Sequence, residues 1–179
     1  MEAPGGEPGY QNSGWVFSFP QDPGQGQYKL DEVMEAEALL LGRATYQGFS
    51  AAWPGRGGDG GFADKMNSMP KYVASTTLKE LDWDNSKLLE GDVATAVAEL
   101  KDQDGGPLLV AGSRTLVHTL YEHDLVDEYR LMMFPVVLGS GRRLFPDDAA
   151  DKRMLELVDS KTFDSGVAVY TYHPVRDDA

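Results

Sequence analysis

Residues 38–46 have the sequence Ala-Leu-Leu-Leu-Gly-Arg-Ala-Thr-Tyr, in which a short apolar run ends abruptly at Gly-Arg. A continuous apolar run of this length is typical of a strand buried on both faces of a parallel sheet. Before it, apolar side chains recur with a 3.6-residue period from Lys29 to Ala38, which predicts a helix whose first turn holds Asp31 and Glu32. After it, we expect a second helix over residues 43–53. The order helix, strand, helix is that of a β-α crossover fold.

The same alternation continues along the chain. It predicts a short helix over 62–69, strands over 71–75 and 87–89, and a helix that Asp92 caps and that ends near residue 104. A buried strand over 107–112 and a helix over 114–123, capped by Ser113, follow. Residues 128–135, 154–163 and 167–173 then indicate strands, with a hairpin turn at 164–166. We therefore predict one α/β domain over residues 1–179, with a mixed, mostly parallel sheet and an antiparallel C-terminal hairpin.

Composition and charge exclude several classes of function. The 179 residues carry a formal charge of -13, which argues against nucleic acid and anionic membranes as partners. Cysteine is absent, so disulfides and thiolate catalysis are excluded, and the three histidines are too scattered to suggest a metal site. No apolar stretch is long enough to span a membrane, and the N-terminus does not have the pattern of a signal peptide. We expect a cytoplasmic protein.

Three predicted strands end in small polar turns. Ligands of open α/β sheets bind beyond the carboxyl ends of the strands. Each turn alone has an ordinary alternative, a tight turn with a surface arginine or a simple helix cap. Together they predict a site for one extended polyanion, because arginine suits bidentate phosphate contact and helix N-termini offer N–H donors. The residues of the three turns are Gly42, Arg43 and Thr45; Ser75, Thr76 and Thr77; and Gly112, Ser113, Arg114 and Thr115.

These turns carry a family resemblance. Leu-Leu-Gly-Arg-x-Thr-Tyr at 40–46, Ser-Thr-Thr at 75–77 and Val-Ala-Gly-Ser-Arg-Thr-Leu at 110–116 resemble the dihydrofolate-reductase-like superfamily. Pro-Val-Val-Leu-Gly-Ser-Gly-Arg-Arg-Leu-Phe at 135–145 is similar to a loop of one branch, related to the reductase domain of the bifunctional riboflavin-biosynthesis deaminase/reductase. The resemblance covers roughly residues 29–172 and implies a three-layer α-β-α fold.

The resemblance implies that NADPH binds across the strand ends. Gly42, Arg43 and Thr45 would then lie at the pyrophosphate and the adenosine-side phosphates, with residues 75–77 near the 2′-phosphoribose and Gly112 to Leu116 at the pyrophosphate. The implied activity is reduction of a small heterocycle, of the 5-amino-6-(5-phosphoribosylamino)uracil reductase type or the dihydrofolate reductase type. Hydride transfer requires little of the protein beyond positioning the two reactants.

The nicotinamide end of the family pattern is not found in this sequence. The family opens with an apolar central strand and a Ser-x-Asp-Gly loop, and we expect that a short N-terminal segment carrying them is missing. Without that loop the alternative function is a dinucleotide-binding module that has lost turnover. Asp31, Glu32 and Glu35 could supply an acid or form a solvated helix turn, so no proton donor is assigned.

Candidate substrate contacts also have structural alternatives. Tyr46, Phe49 and Trp53 are spaced to share one helix face, where they would stack on a heterocycle or pack in the core. Gly139, Gly141 and Arg142 are further candidate substrate contacts, and Arg142-Arg143 would grip a substrate phosphate or form a solvated loop end.

Two expectations concern larger elements. Residues 1–26 would form either a loop pinned by the aromatic residues at 15–19 or a lid over a pocket. The resemblance also implies a homodimer built on the C-terminal strands, with residues 129–134 in the interface.

Overall fold

A computed structural model of the chain describes residues 9–58, 61–147 and 152–176. The chain divides into two compact units: Gln27–His123, called here the central unit, and Met1–Gly26 together with Asp124–Ala179, called the N/C unit. Each unit has its own sheet. The assignment of residues 1–179 to a single domain stays a prediction.

The central unit contains a parallel four-stranded sheet. Its strands are β1 (Ala38–Gly42), β2 (Lys71–Ala74), β3 (Ser86–Leu88) and β4 (Leu108–Leu109), in the order β3-β2-β1-β4. All five residues of β1 are buried, as its apolar sequence predicts for a strand with neighbours on both sides. The chain passes from β1 to β2 and β3 on one side and returns to β4 on the other, so the strand order reverses between β1 and β4.

In the described residues a 3-10 helix (Trp15–Ser18) is followed by five α-helices: α1 (Pro23–Glu35), α2 (Arg43–Ala52), α3 (Phe62–Ser68), α4 (Val93–Lys101) and α5 (Arg114–Glu122). The predicted start of α1 at Lys29 was wrong, because Pro23 takes the first helical position and the carboxylate of Asp22 accepts the N–H groups of Gly24 and Gln25. The predicted cap of α4 is confirmed, since Asp92 accepts the N–H of Thr95 at 2.9 Å.

The strand predicted over residues 107–112 is much shorter than expected. Within the described residues, Leu108 and Leu109 alone pair, both are half-buried, and β4 lies at the edge of the four-stranded sheet beside β1. The apolar run Leu-Leu-Val suggests burial on both faces, but a strand at the edge of its sheet lacks the second partner that would extend the pairing.

The N/C unit contains an antiparallel three-stranded sheet of β5 (Tyr129–Met133), β6 (Leu155–Thr162) and β7 (Ala168–Pro174), in the order β5-β7-β6. The turn at residues 164–166 joins β6 to β7, with Gly166 at a φ of 80°, so the predicted C-terminal hairpin is confirmed. With the parallel sheet of the central unit, this confirms the predicted α/β fold class.

An aromatic cluster pins the N-terminal segment within the N/C unit. The rings of Trp15 and Phe19 lie edge-on to Phe134, with centroids 5.0 and 5.2 Å away. Asp22 then joins the start of α1 to the hairpin, because its second carboxylate oxygen accepts the N–H of Ser165 at 2.9 Å. These contacts support the pinned-loop interpretation of residues 9–22.

No helix in the described ranges is both long enough and apolar enough to cross a membrane.

Candidate functional site

The parallel sheet brings the three predicted turns to one edge of the central unit. Because β1, β2 and β4 are parallel, their carboxyl ends lie at the same edge, and β1 is in the middle. Gly42 pairs with Ala74, so Arg43 and Ser75 follow side by side. The chain order reverses between β1 and β4, which is where open α/β sheets form their ligand crevice.

Gly42 is in close contact with the turn that follows β4. A Cβ atom at this position would come within 2.8 Å of the Cβ of Ser113 and still closer to its Oγ. Its φ of -80° is open to any residue, so the glycine is required by space and not by backbone conformation. Leu116, which is buried, packs against the same point. Gly42 therefore holds the first and third turns together.

The third turn has an unusual backbone. Gly112 has a φ of 109° and Ser113 a φ of 76°, and the second value is costly for a residue with a side chain. The prediction that the Ser113 side chain caps α5 was wrong, since it makes no capping hydrogen bond and its Oγ packs over Gly42 instead. In the described structure, the first N–H groups of the nine-residue helix α5 thus have no side-chain cap from Ser113, and such groups favour an anion.

The first turn supplies a positive charge. Arg43 is exposed at the first position of α2 and has no ion pair or hydrogen bond within the described residues, while Thr45 is half-buried. A free guanidinium in a chain of net charge -13 is a suitable partner for phosphate.

The second turn is ordered by its own serine. The Oγ of Ser75 accepts the N–H groups of Thr77 and Leu78 at 3.2 and 3.0 Å, and Thr76 and Thr77 are exposed. The simple capping alternative therefore applies to Ser75, while the hydroxyls of the two threonines face solvent at the sheet edge.

The aromatic residues of α2 lie in the core. Tyr46 is 2% exposed and belongs to the core cluster of the central unit, and Phe49 and Trp53 pack against that cluster. Tyr46 donates its O–H to Asp82 Oδ1 and accepts the N–H of Trp83, both at 3.0 Å. The contacts support the core-packing alternative for all three residues.

The Gly139–Arg142 segment lies in the N/C unit. Gly139 and Gly141 have φ values of 75° and 130°, which only glycine adopts readily. The N-terminal segment holds this loop, since Tyr10 donates to the carbonyl of Ser140 at 2.9 Å and Asn12 to that of Leu138 at 3.2 Å. Arg142 is exposed.

The carboxylates of α1 already have partners. Glu32 is buried and paired with Lys29, and Asp31 accepts the side-chain amide of Gln27 at 2.7 Å. Among the described residues no group of acidic or histidine side chains could hold a metal ion.

A buried lysine was not predicted from the sequence. Lys71 begins β2 with no exposed surface, and its ammonium donates to the carbonyls of Asn67, Met69 and Asp84 at 2.8 to 3.0 Å. It also lies 4.3 Å from the centre of the Trp83 ring. Burial lowers the pKa of Lys71 to about 8. The possible signal was its place directly after Pro70, at the start of a strand otherwise made of Tyr, Val and Ala.

A cavity of about 590 Å³ lies between α2 and residues 78–82. Its lining includes the Tyr46 ring, apolar Leu78 and Leu81, and the carboxylates of Glu80 and Asp82. The acidic lining does not suit a polyanion, so the cavity is separate in chemistry from the three turns.

Comparison with known proteins identifies similar domains. The model of the RibD C-terminal domain family matches residues 9–169. The Bacillus subtilis (strain 168) protein YyaP is 36% identical over 108 residues, which cover 60% of this chain and only 56% of YyaP. YwjB of the same strain is 26% identical over 156 residues, covering 87% of this chain and 83% of YwjB.

Solved structures share the fold. A protein of Shewanella sp. PV-4 named for riboflavin biosynthesis has a TM-score of 0.70 at 24% identity, over 91% of this chain and 88% of that one. A pyrimidine reductase-like protein of Corynebacterium diphtheriae has a TM-score of 0.62 at 12% identity, over 88% of this chain and 83% of that one. RibD of Acinetobacter baumannii also has a TM-score of 0.62, at 16% identity, over 87% of this chain and 52% of that one.

Proposed function

Because the chain belongs to the RibD C-terminal domain family, we propose that it is a reductase that uses NADPH to reduce a small heterocyclic substrate. The substrate class we favour is a pyrimidine or pterin related to riboflavin or folate metabolism, in keeping with the pyrimidine reductase-like name of one structural relative. We place the enzyme in the cytoplasm.

The observation that carries the proposal is the meeting of the three turns at Gly42. The exposed guanidinium of Arg43, the hydroxyls of Thr76 and Thr77 and the N-terminus of α5 lie at the carboxyl ends of three adjacent parallel strands. These are the groups that bind phosphates: a bidentate cation, hydroxyl donors and backbone N–H groups. A dinucleotide with a 2′-phosphate offers several phosphates along one extended molecule.

The chain would bind and orient the cofactor and hold it against the substrate. When bound, NADPH supplies the hydride. Arg43, Thr76, Thr77 and the N-terminus of α5 would hold its phosphates, so their effect on the rate would come through the position of the cofactor.

Binding of NADPH is tested by fluorescence titration of the wild type and of Arg43→Gln. The substitution removes the cation and should raise the Kd about 10- to 100-fold, the value of a charge-assisted hydrogen bond. Arg56→Gln is the matched control, because Arg56 is exposed in the same unit and contacts the Trp53 ring, not the strand ends. Equal affinity of wild type and Arg43→Gln would remove Arg43 from the site.

Turnover is tested separately, by following loss of the nicotinamide absorbance with a panel of aminopyrimidine phosphates and dihydropterins. The alternative function is a dinucleotide-binding module without turnover. Binding of NADPH without oxidation by any member of the panel would support that alternative.

We also propose that the partner of the chain is a second copy. In the N/C unit β6 is an edge strand on which Leu157 and Val158 are 52% and 45% exposed, and such an edge can pair with another strand. On β5, Met133 is 58% exposed, whereas Tyr129 is buried within its own unit. A monomer mass from light scattering would contradict the dimer.

A further inference from the structure

We propose that the hydroxyl of Tyr46 is a positioning group that, together with the pairing of β1 and β2, maintains the spacing between the Arg43 turn and the segment that carries Ser75 to Thr77. This proposal rests on the proposed function, because the spacing affects binding only if a phosphate of the cofactor is held between the two turns. Tyr46 does not touch the cofactor in this proposal.

Tyr46 is rigidly connected to the first turn. It lies three residues after Arg43 in the same helix, so the two share one helical turn. Its ring is 2% exposed and packs with the core, which fixes the direction in which its hydroxyl points. The hydroxyl and the N-terminal turn of α2 are therefore displaced together.

The hydroxyl also joins the helix to the segment between β2 and β3. Both hydrogen bonds that connect α2 to residues 75–85 in the described structure end on the Tyr46 oxygen, one from Trp83 N–H and one to Asp82 Oδ1. Leu78 and Leu81 of this segment also pack against the core cluster that contains Tyr46, and a cavity of about 590 Å³ lies between α2 and residues 78–82. The two hydrogen bonds of Tyr46 add the polar connection between the helix and this segment.

Trp83, at the other end of one of these hydrogen bonds, is also held in place. Trp83 is 3% exposed, and its indole N–H donates to Asn67 at 2.9 Å while its ring lies under the Lys71 ammonium. Lys71 begins β2, the strand whose other end carries Ser75. Fully paired buried polar groups of this kind favour one arrangement over others. Together with the pairing of Gly42 and Ala74, the network thus holds the second turn at one distance from the first.

A phosphate gripped by both turns should sense this spacing. The 2′-phosphate distinguishes NADPH from NADH, and it is the group that we place between Arg43 and residues 75–77. Loss of the Tyr46 hydrogen bonds should therefore weaken the binding of NADPH much more than the binding of NADH. If the Tyr46 hydroxyl contributed only to the stability of the fold, its removal would change the Kd values for NADPH and NADH together or change neither.

The experiment measures the Kd for NADPH and NADH with the wild-type chain, Tyr46→Phe and the matched control Tyr72→Phe. Tyr72 lies in β2, is half-buried and makes no side-chain hydrogen bond within the described residues. We expect Tyr46→Phe to raise the Kd for NADPH about five- to tenfold, the value of one to two neutral hydrogen bonds, and that for NADH less than twofold. Tyr72→Phe should leave both unchanged.

Asp82→Ala is the second variant, for use if Tyr46→Phe does not fold. We expect it to fold because Asp82 is exposed and the hydrogen bond from the Trp83 N–H to Tyr46 is retained. It should raise the Kd for NADPH about threefold, with the value for NADH unchanged. Equal loss for both nucleotides, or no loss for either, in a folded variant would overturn the proposal. Failure of the wild type to bind NADPH would overturn the proposed function itself, a result distinct from either of these.

Discussion

Substitution of Gly42 by alanine tests the contact on which the candidate site depends. The added Cβ would lie 2.8 Å from the Cβ of Ser113, a separation that real side chains essentially never show, and closer still to its Oγ. The Oγ can rotate away, but the Cβ is fixed to the backbone of the third turn. Gly42→Ala therefore has to push the turn after β4 away from the end of β1.

The size of the effect follows from the geometry. Overpacking of a close contact costs about 1–3 kcal/mol in the free energy of unfolding. Ser113→Gly removes both clashing atoms and relieves the φ of 76°, although glycine loses more entropy on folding, so its own effect should be within about 1 kcal/mol of zero. The next atom near the new Cβ would be the Cβ of Leu116 at 3.7 Å, which is an ordinary van der Waals contact.

The double variant Gly42→Ala/Ser113→Gly should consequently regain most of the lost stability. Urea unfolding of the wild type, both single variants and the double variant gives the coupling energy, expected at about 1–3 kcal/mol. NADPH affinity should fall in Gly42→Ala and recover in the double variant, because the two turns close again.

Gly48→Ala is the control, since it makes the same substitution within α2, the helix that follows Gly42, where no atom lies within 4 Å of the new Cβ. It should stabilise the chain by about 0.5–1 kcal/mol. If the effects of Gly42→Ala and Ser113→Gly add to within about 0.5 kcal/mol, the close approach does not exist and the two turns are not joined at Gly42.

Two further predictions concern titratable groups. Hydrogen bonds from the N–H groups of Ser165 and, second, Gln25 lower the pKa of Asp22 below 3.8, so the carboxylate stabilises the fold above that pH and loses this effect as the pH falls. Asp22→Asn should therefore lower the free energy of unfolding at neutral pH. In urea unfolding, the difference from the wild type should shrink on acidification. Lys71→Met leaves the buried carbonyl of Met69 and the partly buried carbonyls of Asn67 and Asp84 without this donor and should cost about 1–3 kcal/mol at neutral pH. Because burial lowers the pKa of Lys71 from 10.5 to about 8, the folded state releases a proton before the unfolded state does, so wild-type stability relative to Lys71→Met should rise between pH 8 and 10.5. A constant difference between the two curves over that range would contradict the lowered pKa.

Local patterns in the sequence were sufficient for the elements and the turns. The apolar run at 38–42 predicted a buried strand, and the Asp92 cap and the 164–166 turn predicted their boundaries, because each depends on a few adjacent residues. The start of α1 could not be found from periodicity alone, since it depends on an aspartate and a proline that precede the periodic segment.

The environment of individual side chains could not be predicted in this way. Tyr46 has the spacing of a substrate-stacking residue, yet it is buried in the core cluster, and residues 82 and 83, far along the chain, pair with its hydroxyl. Ser113 has the position of a cap, yet its side chain packs on Gly42.

The sequence by itself determined that the chain is an α/β protein with three polar turns at strand ends, and which residues those turns contain. The tertiary structure decided that β1 lies between β2 and β4, so that the three turns meet at Gly42, and that Lys71 and Tyr46 are buried in one polar network. The physical reason is range: periodicity and turn chemistry act over a few residues, whereas strand order and burial depend on contacts between segments that are distant in the chain.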